Sequence, residues 1–382
     1  MTKPVVIGVD IRDLRIATTG TRTFLEELCR QFRQTDDPGA RFVFFDTSIP
    51  VYTGRNKLLK LTEHLRYQLW KQCILPLKAL LSGCDILFCT DYYVPLVRLG
   101  YHTIPMFHDA FFLEYPSHYN QVWLQLFKKL AVPAARRSPA VIVPSHYAKG
   151  RVQHFTGIDP QKLCVVYEAP KTLRRNNGPS HPVIRQMIEG KKNGLSYLLH
   201  VGSFDKRKNL GVLIEAFAQL VGNGYGHLRL VLAGKPSSKE FVDGSSGIHE
   251  LIRRRGLEEL VMLPGYIADP DLPWLYENAL LYVFPSLNEG FGLPVLESFL
   301  MRVPVIAADN TCLPEIGGDA ILGFDPTDPA ALARSIQMLA DNEPLRADMI
   351  RKGSLRLQLF SWEKAAAQLS SIFKDTASGV HS

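Results

Sequence analysis

The chain has 382 residues, 46% hydrophobic and 21% charged, which leaves room for two domains and is ordinary composition for a globular protein. It has no apolar run long enough to span a membrane, and its six cysteines, none in a C-x-x-C pair, match a reduced cytoplasmic protein rather than a disulfide scaffold. The net charge of +7 is lopsided: residues 1–180 carry 24 Lys and Arg against 14 Asp and Glu, the remainder 20 against 23, so the first half points to an acidic partner such as nucleic acid, anionic lipid or a phosphorylated acceptor.

A β-rich run over 4–9 opens the chain after a single lysine, without the pattern of a secretory signal. A small-residue loop at 18–20 leads to a predicted helix over 21–32, apolar at Phe24, Leu25, Leu28 and Phe32, and a second strand over 41–45. This is the start of a doubly wound sheet, and the absence of G-x-G-x-x-G after the first strand argues against a dinucleotide oxidoreductase. Residues 56–81 are apolar at Leu58, Leu61, Leu65 and Leu69 and cationic at Lys57, Lys60, Arg66, Lys71 and Lys78, preceded by Arg55, with Glu63 the one acid and Trp70 among them. The plain reading is a core-packed helix with a solvated basic face; the alternative is contact with an anionic membrane surface. Strands over 85–89 and 103–107 end in Thr90-Asp91-Tyr92-Tyr93 and in His108-Asp109, at carboxyl ends where open α/β sheets bind ligands. Asp109 either orients the His108 ring or holds the loop. A helix over 119–136, a strand over 140–143, a helix capped by Ser145 and a strand over 163–167 follow, ending in Glu168, which either faces an acceptor or fills the turn.

Residues 171–193 are rich in Arg, Asn, Pro and Gly, and 176–194 reads as a linker between a first domain (1–175, with 361–382) and a second (195–360). A strand over 197–201 runs into G-S-F-D-K-R-K-N-L and a helix over 210–220; Arg207 and Lys208, between strand and helix, suit a diphosphate clamp. Strands over 228–233 and 259–264 end at Gly234-Lys235 and at Gly265-Tyr266. A helix over 271–279 leads to the buried strand 280–284 and then to Asn288-Glu289-Gly290-Phe291-Gly292-Leu293-Pro294, a glycine turn opening a helix over 295–301. Such a turn presents free backbone N–H groups along a favourable dipole, a phosphate site. Glu289 and Glu297 bracket it, and carboxylates there suit sugar hydroxyls better than bare phosphate. Together they suit a nucleotide sugar. A strand over 303–307, a turn at 313–315, helices over 329–339 and 344–356 and a last amphipathic helix to Phe373 complete the chain.

The wording P-S-x-x-E-G-F-G-L-P-x-x-E over 285–297 resembles the donor-site signature of the retaining family-4 glycosyltransferases. H-D-A-F-F-L-E-Y-P at 108–116 and R-K-N at 207–209 resemble that family too, and the resemblance runs over nearly the whole chain. It implies the α/β GT-B fold: two Rossmann-like domains facing each other across a cleft, with a C-terminal helix crossing back to the first. It implies that His108 faces the donor sugar, that Arg207 and Lys208 carry the diphosphate, that Glu289 binds sugar hydroxyls and Glu297 the ribose. Gly20 and Thr21 then stand at the first-loop phosphate position, Gly265 and Tyr266 cradle the base, and the amides of Gly290, Phe291, Gly292 and Leu293 hold phosphate. Two departures stand out: T-T-G-T where many relatives have a glycine pair, and Glu168 where many have Asn-Gly.

The implied activity is a metal-independent retaining hexosyl transfer with no cofactor, and with a saccharide or lipid-linked saccharide as acceptor in bacterial polysaccharide or lipopolysaccharide synthesis. The wording favours GDP-mannose as donor and a cytoplasmic protein peripheral on the membrane. A sugar-nucleotide epimerase of the same shape is the rival enzyme. A nucleic-acid-binding protein is the rival of another class, and no interleaved aromatic-basic motif supports it.

Overall fold

In the computed structural model, residues 3–17, 20–52, 54, 56–237 and 243–379 are described. The chain divides into two compact units: Met1–Ala169 with Ser361–Ser382, and Pro170–Phe360. In the first, β1 (Val5–Asp10) lies between β2 (Ala40–Phe45) and β3 (Ile86–Cys89), with β4 (His102–Pro105) beyond, all parallel. β5 (Val141–Val143) and β6 (Leu163–Val165) form a parallel pair joined to β4 by a single bridge, Met106 to Ile142. Parallel strands are covered on both faces, which is why V-V-I-G-V-D reads as an unbroken apolar run and is buried from Val6 onward.

Helix α1 (Gly20–Gln34) buries Phe24, Leu25, Leu28 and Phe32, the stripe its spacing predicted. The C-terminal helix Trp362–Ala377 returns to this unit and packs on α1, β1 and β3. Its Phe373 is fully buried between the rings of Phe88 (5.2 Å) and Phe32 (6.5 Å), and Lys374 pairs with Asp37 at 2.9 Å. Losing a ring of that burial costs about 3–5 kcal/mol.

The second unit is one six-stranded parallel sheet in the order β12-β11-β10-β7-β8-β9. Its strands are β7 (Ser196–Val201), β8 (Leu228–Ala233), β9 (Val261–Gly265), β10 (Leu281–Phe284), β11 (Val305–Ala308) and β12 (Ile321–Phe324). At the carboxyl ends of β7 and β8 the backbones meet so closely that a Cβ on Gly234 would lie 1.7 Å from the carbonyl oxygen of Gly202. Only glycine allows that approach.

Two expectations are corrected here. The stretch read as a linker is not free chain: Pro182–Lys192 is a helix, with His181 accepting from the Val183 N–H as its cap. The residues before it are tied to the second unit by Lys171–Asp269 (2.5 Å) and Arg175–Glu277 (2.8 Å), with the Arg175 guanidinium 3.5 Å from the centre of the Trp274 ring. Basic and small residues suggested solvent, but Lys171 and Arg175 have each found an acid on the facing surface.

The larger correction concerns residues 57–81. They form α2 (Lys57–Leu69), a π-helical turn (Trp70–Ile74) and α3 (Leu75–Leu81). The leucines expected in the core face outward: Leu58, Leu61, Leu65 and Leu69 are 74, 58, 63 and 53% exposed. Trp70 and Lys71, expected on the solvated face, are buried, Lys71 to 1%. The physical reason is a pair of carboxylates at the carboxyl ends of β1 and β3. Lys71 Nζ lies 2.6 Å from Asp10 and 2.5 Å from Asp91, and the Trp70 indole N–H donates to Asp10 at 3.1 Å. A wide π turn lets two successive side chains face inward. Arg55 and the Lys57 side chain lie outside the described residues.

Candidate active site

The second unit carries the larger set of chemistry-bearing residues. After β7 the chain makes a tight turn, Lys206–Lys208, that projects Arg207 and Lys208. Asn209 follows in a left-handed conformation that asparagine tolerates, and its amide donates to the carbonyls of Pro285 (3.2 Å) and Pro326 (2.8 Å). The Leu287 N–H donates to the Arg207 carbonyl at 2.8 Å. These bonds lock the R-K-N turn onto the loop after β10.

That loop delivers Glu289 between the two cations. Its Oε2 takes Arg207 Nη1 at 2.9 Å and its Oε1 takes Lys208 Nζ at 2.6 Å; Arg207 also donates to the Asn288 carbonyl at 3.2 Å. Burial works against the Glu289 charge, but Arg207 and Lys208 overcome it and hold the carboxyl down at about 2. Burial also draws Lys208 below its ordinary value, against the pull of Glu289. Two cations on one anion leave a net positive charge, and each carboxylate oxygen keeps a lone pair for a hydroxyl. The loop closes with Gly292 at φ +97°, the cap position of the helix Leu293–Leu300. Phe291 is buried with its ring 6.0 Å from Phe360, and Leu293 is buried as well, so at 290–293 the backbone is the part suited to a ligand.

Glu297 lies on that helix and accepts from the Tyr276 hydroxyl at 3.1 Å. Burial raises its carboxyl above the usual range, with Tyr276 and Lys171 pulling the other way. Gly265 ends β9 at φ +76°, and beside it Tyr266 is exposed with Lys235 Nζ 4.6 Å from its ring centre. Sequence reasoning passed over Lys235, Tyr276 and His200. His200, on β7, is wholly buried; its Nδ1 lies 3.0 Å from the Val283 carbonyl and burial brings its pKa down to about 4. Nothing in the H-V-G-S wording distinguishes it from any strand-end histidine.

In the first unit, His108 follows β4, with its ring centre 5.0 Å from that of Phe24 in an edge-to-face contact. Its Nδ1 lies 3.4 Å from Oε1 of Glu168, which is buried in the turn after β6. The alternatives left open by the sequence separate here. Asp109 accepts from the Tyr92 hydroxyl (3.1 Å) and the Phe111 N–H (3.2 Å), so it holds the loop, while Glu168 faces the imidazole. Gly20 and Thr21 open α1, and Thr18 and Thr19 of the T-T-G-T stretch lie outside the described residues. Ser145 is a cap, accepting from the Ala148 N–H at 3.0 Å. Among the described residues, no His, Cys, Asp and Glu cluster is placed to hold a metal ion.

The sequence pattern of Glycosyl transferases group 1 matches residues 185–356, and that of Glycosyltransferase Family 4 matches residues 20–169. The O-antigen chain mannosyltransferase B of Escherichia coli is 26% identical over 74% of this chain and 72% of its own length. Against larger serotype-specific mannosyltransferases of that organism, the chain spans only about a third of the relative's length. Among solved structures, the sucrose-phosphate synthase of Thermosynechococcus elongatus superposes with a TM-score of 0.74 at 18% identity, over 98% of this chain and 100% of the other. The Anabaena protein HepE, solved with UDP and glucose, gives 0.69 at 18% identity over 96% and 99%. Both parallel sheets, the returning helix and the two matched halves lead to one assignment: the chain is a glycosyltransferase of family 4, with the GT-B fold.

Proposed function

We propose that this glycosyltransferase moves a hexose, mannose in preference, from a nucleotide sugar to a saccharide or lipid-linked saccharide acceptor in bacterial polysaccharide synthesis. The observation that carries the reading is the Arg207–Glu289–Lys208 cluster held against the glycine turn at 290–293. Breaking the anomeric C–O bond leaves charge on a diphosphate, and fixed positive potential favours that state. The acceptor oxygen bonds to the anomeric carbon on the face the diphosphate leaves, and its proton passes to the departing phosphate oxygen. Glu289 takes donor-sugar hydroxyls, Glu297 the ribose, and the Tyr266–Lys235 pair stacks the base. The mannosyltransferase relatives support a mannose donor; GDP as its carrier rests on the sequence wording alone.

For the acceptor side we infer a peripheral position on the inner face of the cytoplasmic membrane. No described helix is long and apolar enough to cross a membrane. The support is the exposed leucine stripe of α2, flanked by exposed Lys60 and Lys78, in the half of the chain with net charge +10. Apolar insertion adds to about 1 kcal/mol per basic residue at an anionic surface.

The purified chain, screened against a panel of nucleotide sugars, should be stabilised most by GDP-mannose, by about 5–10 °C at a hundred times the Kd. Mannose should then pass to an acceptor with retained configuration, in excess EDTA. Stabilisation by UDP-sugars alone would replace the donor, activity restored only by Mg²⁺ or Mn²⁺ would overturn metal independence, and epimerised donor without acceptor would favour the epimerase.

A further inference from the structure

The turn after β6 is Tyr167-Glu168-Ala169-Pro170, and Glu168 is buried there at 5% exposure. A carboxylate is not buried without a partner. Its partner is His108 Nδ1 at 3.4 Å, reached from a different strand end. The imidazole is fixed further by edge-to-face contacts with Phe24 and Tyr92, at 5.0 and 6.4 Å between ring centres. On the far side of the ring, Nε2 is buried and has no hydrogen-bond partner among the described residues. A ring clamped at one nitrogen and unfilled at the other is arranged to donate to something absent from the protein itself.

We propose that Glu168 is a positioning residue that keeps His108 as an imidazolium, with its Nε2–H presented to an oxygen of the reacting substrates. This rests on the glycosyl-transfer reading. Burial opposes the imidazolium, but the bond and charge of Glu168, the charge of Asp109 in the same loop and the backbone of Thr90 after β3 outweigh it, so the ring titrates above its ordinary value. Tyr92 brings no charge: burial and Asp109 push its phenol far up. A raised histidine is charged below its folded pKa and loses that charge as pH rises through it. Removing Glu168 therefore moves the loss to lower pH.

The test is histidine NMR titration of the full chain, with the His108 signal assigned from His108→Gln. In Glu168→Gln its midpoint should fall by about one pH unit or more, and Glu168→Asp should recover part of the difference. The alkaline limb of kcat/KM should move with the midpoint, while affinity for the nucleoside diphosphate alone stays within a few-fold. An unchanged midpoint overturns the proposal. So does a midpoint that moves while the alkaline limb stays. Because the titration needs no substrate, a moved midpoint in a chain that transfers no sugar upholds the pair and overturns the transfer reading instead.

Discussion

Lys208 is buried, yet charged, because Glu289 divides its two oxygens between Lys208 and Arg207. Lys208→Ala leaves Glu289 its bond to Arg207, so the fold survives while the fixed positive charge that the proposed diphosphate clamp needs is lost. kcat/KM should drop roughly 10²-fold or more; activity within a few-fold of wild type would remove the lysine from the clamp. Glu289→Ala is a poor probe, since Lys208 would lose its counter-charge in a buried place at a cost of about 3 kcal/mol or more. The isosteric pair Glu289→Gln and Glu297→Gln is better. Glu297→Gln should weaken binding of the free nucleoside diphosphate, and Glu289→Gln should spare it and lower turnover. Calorimetric titration with the sugar-free nucleotide decides, and equal losses would end this division of labour. The R-K-N and E-G-F-G wording made these residues legible, because each is a strand-end residue beside a helix start. Their mutual pairing was not legible, since 81 positions separate Lys208 from Glu289.

The element in question at the next scale is α2 with α3. Helical periodicity identified the apolar stripe correctly, and periodicity alone cannot say which stripe meets the core. Asp10 and Asp91 decided it, by drawing Lys71 inward. A surface-charge variant at Lys71 would thus break a buried ion cluster, costing about 3–5 kcal/mol, rather than report on docking. The informative changes are Leu65→Ser with Leu69→Ser, and Lys60→Glu with Lys78→Glu. Wild-type protein should co-sediment with phosphatidylglycerol vesicles and less with neutral ones. The leucine pair should lower binding at all salt concentrations. The lysine pair should lower it chiefly at low salt, because exposed charge is screened over about 8 Å at physiological ionic strength. Protein left in the supernatant with anionic vesicles at low salt would assign the basic surface to the acceptor.

For the whole molecule, His200 and His108 give the two units opposite responses to pH. His200 is held neutral by burial, with its pKa lowered to about 4, so the unfolded chain takes up protons first. Its contribution is present above about pH 6.5 and lost as pH falls toward 4, at most about 3 kcal/mol. His108 is raised, so its contribution is full below about pH 6.5 and lost as pH climbs through its folded value. Scanning calorimetry from pH 4 to 9 should resolve a transition of the second unit that falls in acid and one of the first that falls in base. His200→Gln should flatten the acid response. An acid response unchanged in that variant would assign it to carboxylates such as Glu289 instead.

The sequence by itself determined the α/β alternation, the strand ends, the Arg207-Lys208 turn and the glycine loop with its two glutamates. Those signals are local: period, caps and turn residues act within a few positions of one another. Only tertiary structure decided which face of α2 is buried, that Pro182–Lys192 folds as a helix beside an anchored strap, and that Glu168 rather than Asp109 faces His108. The first and the last turned on a charge meeting its partner from a distant strand end. The free energy of burying an ion pair depends on distance and solvent exclusion, and neither is written in the spacing of a sequence.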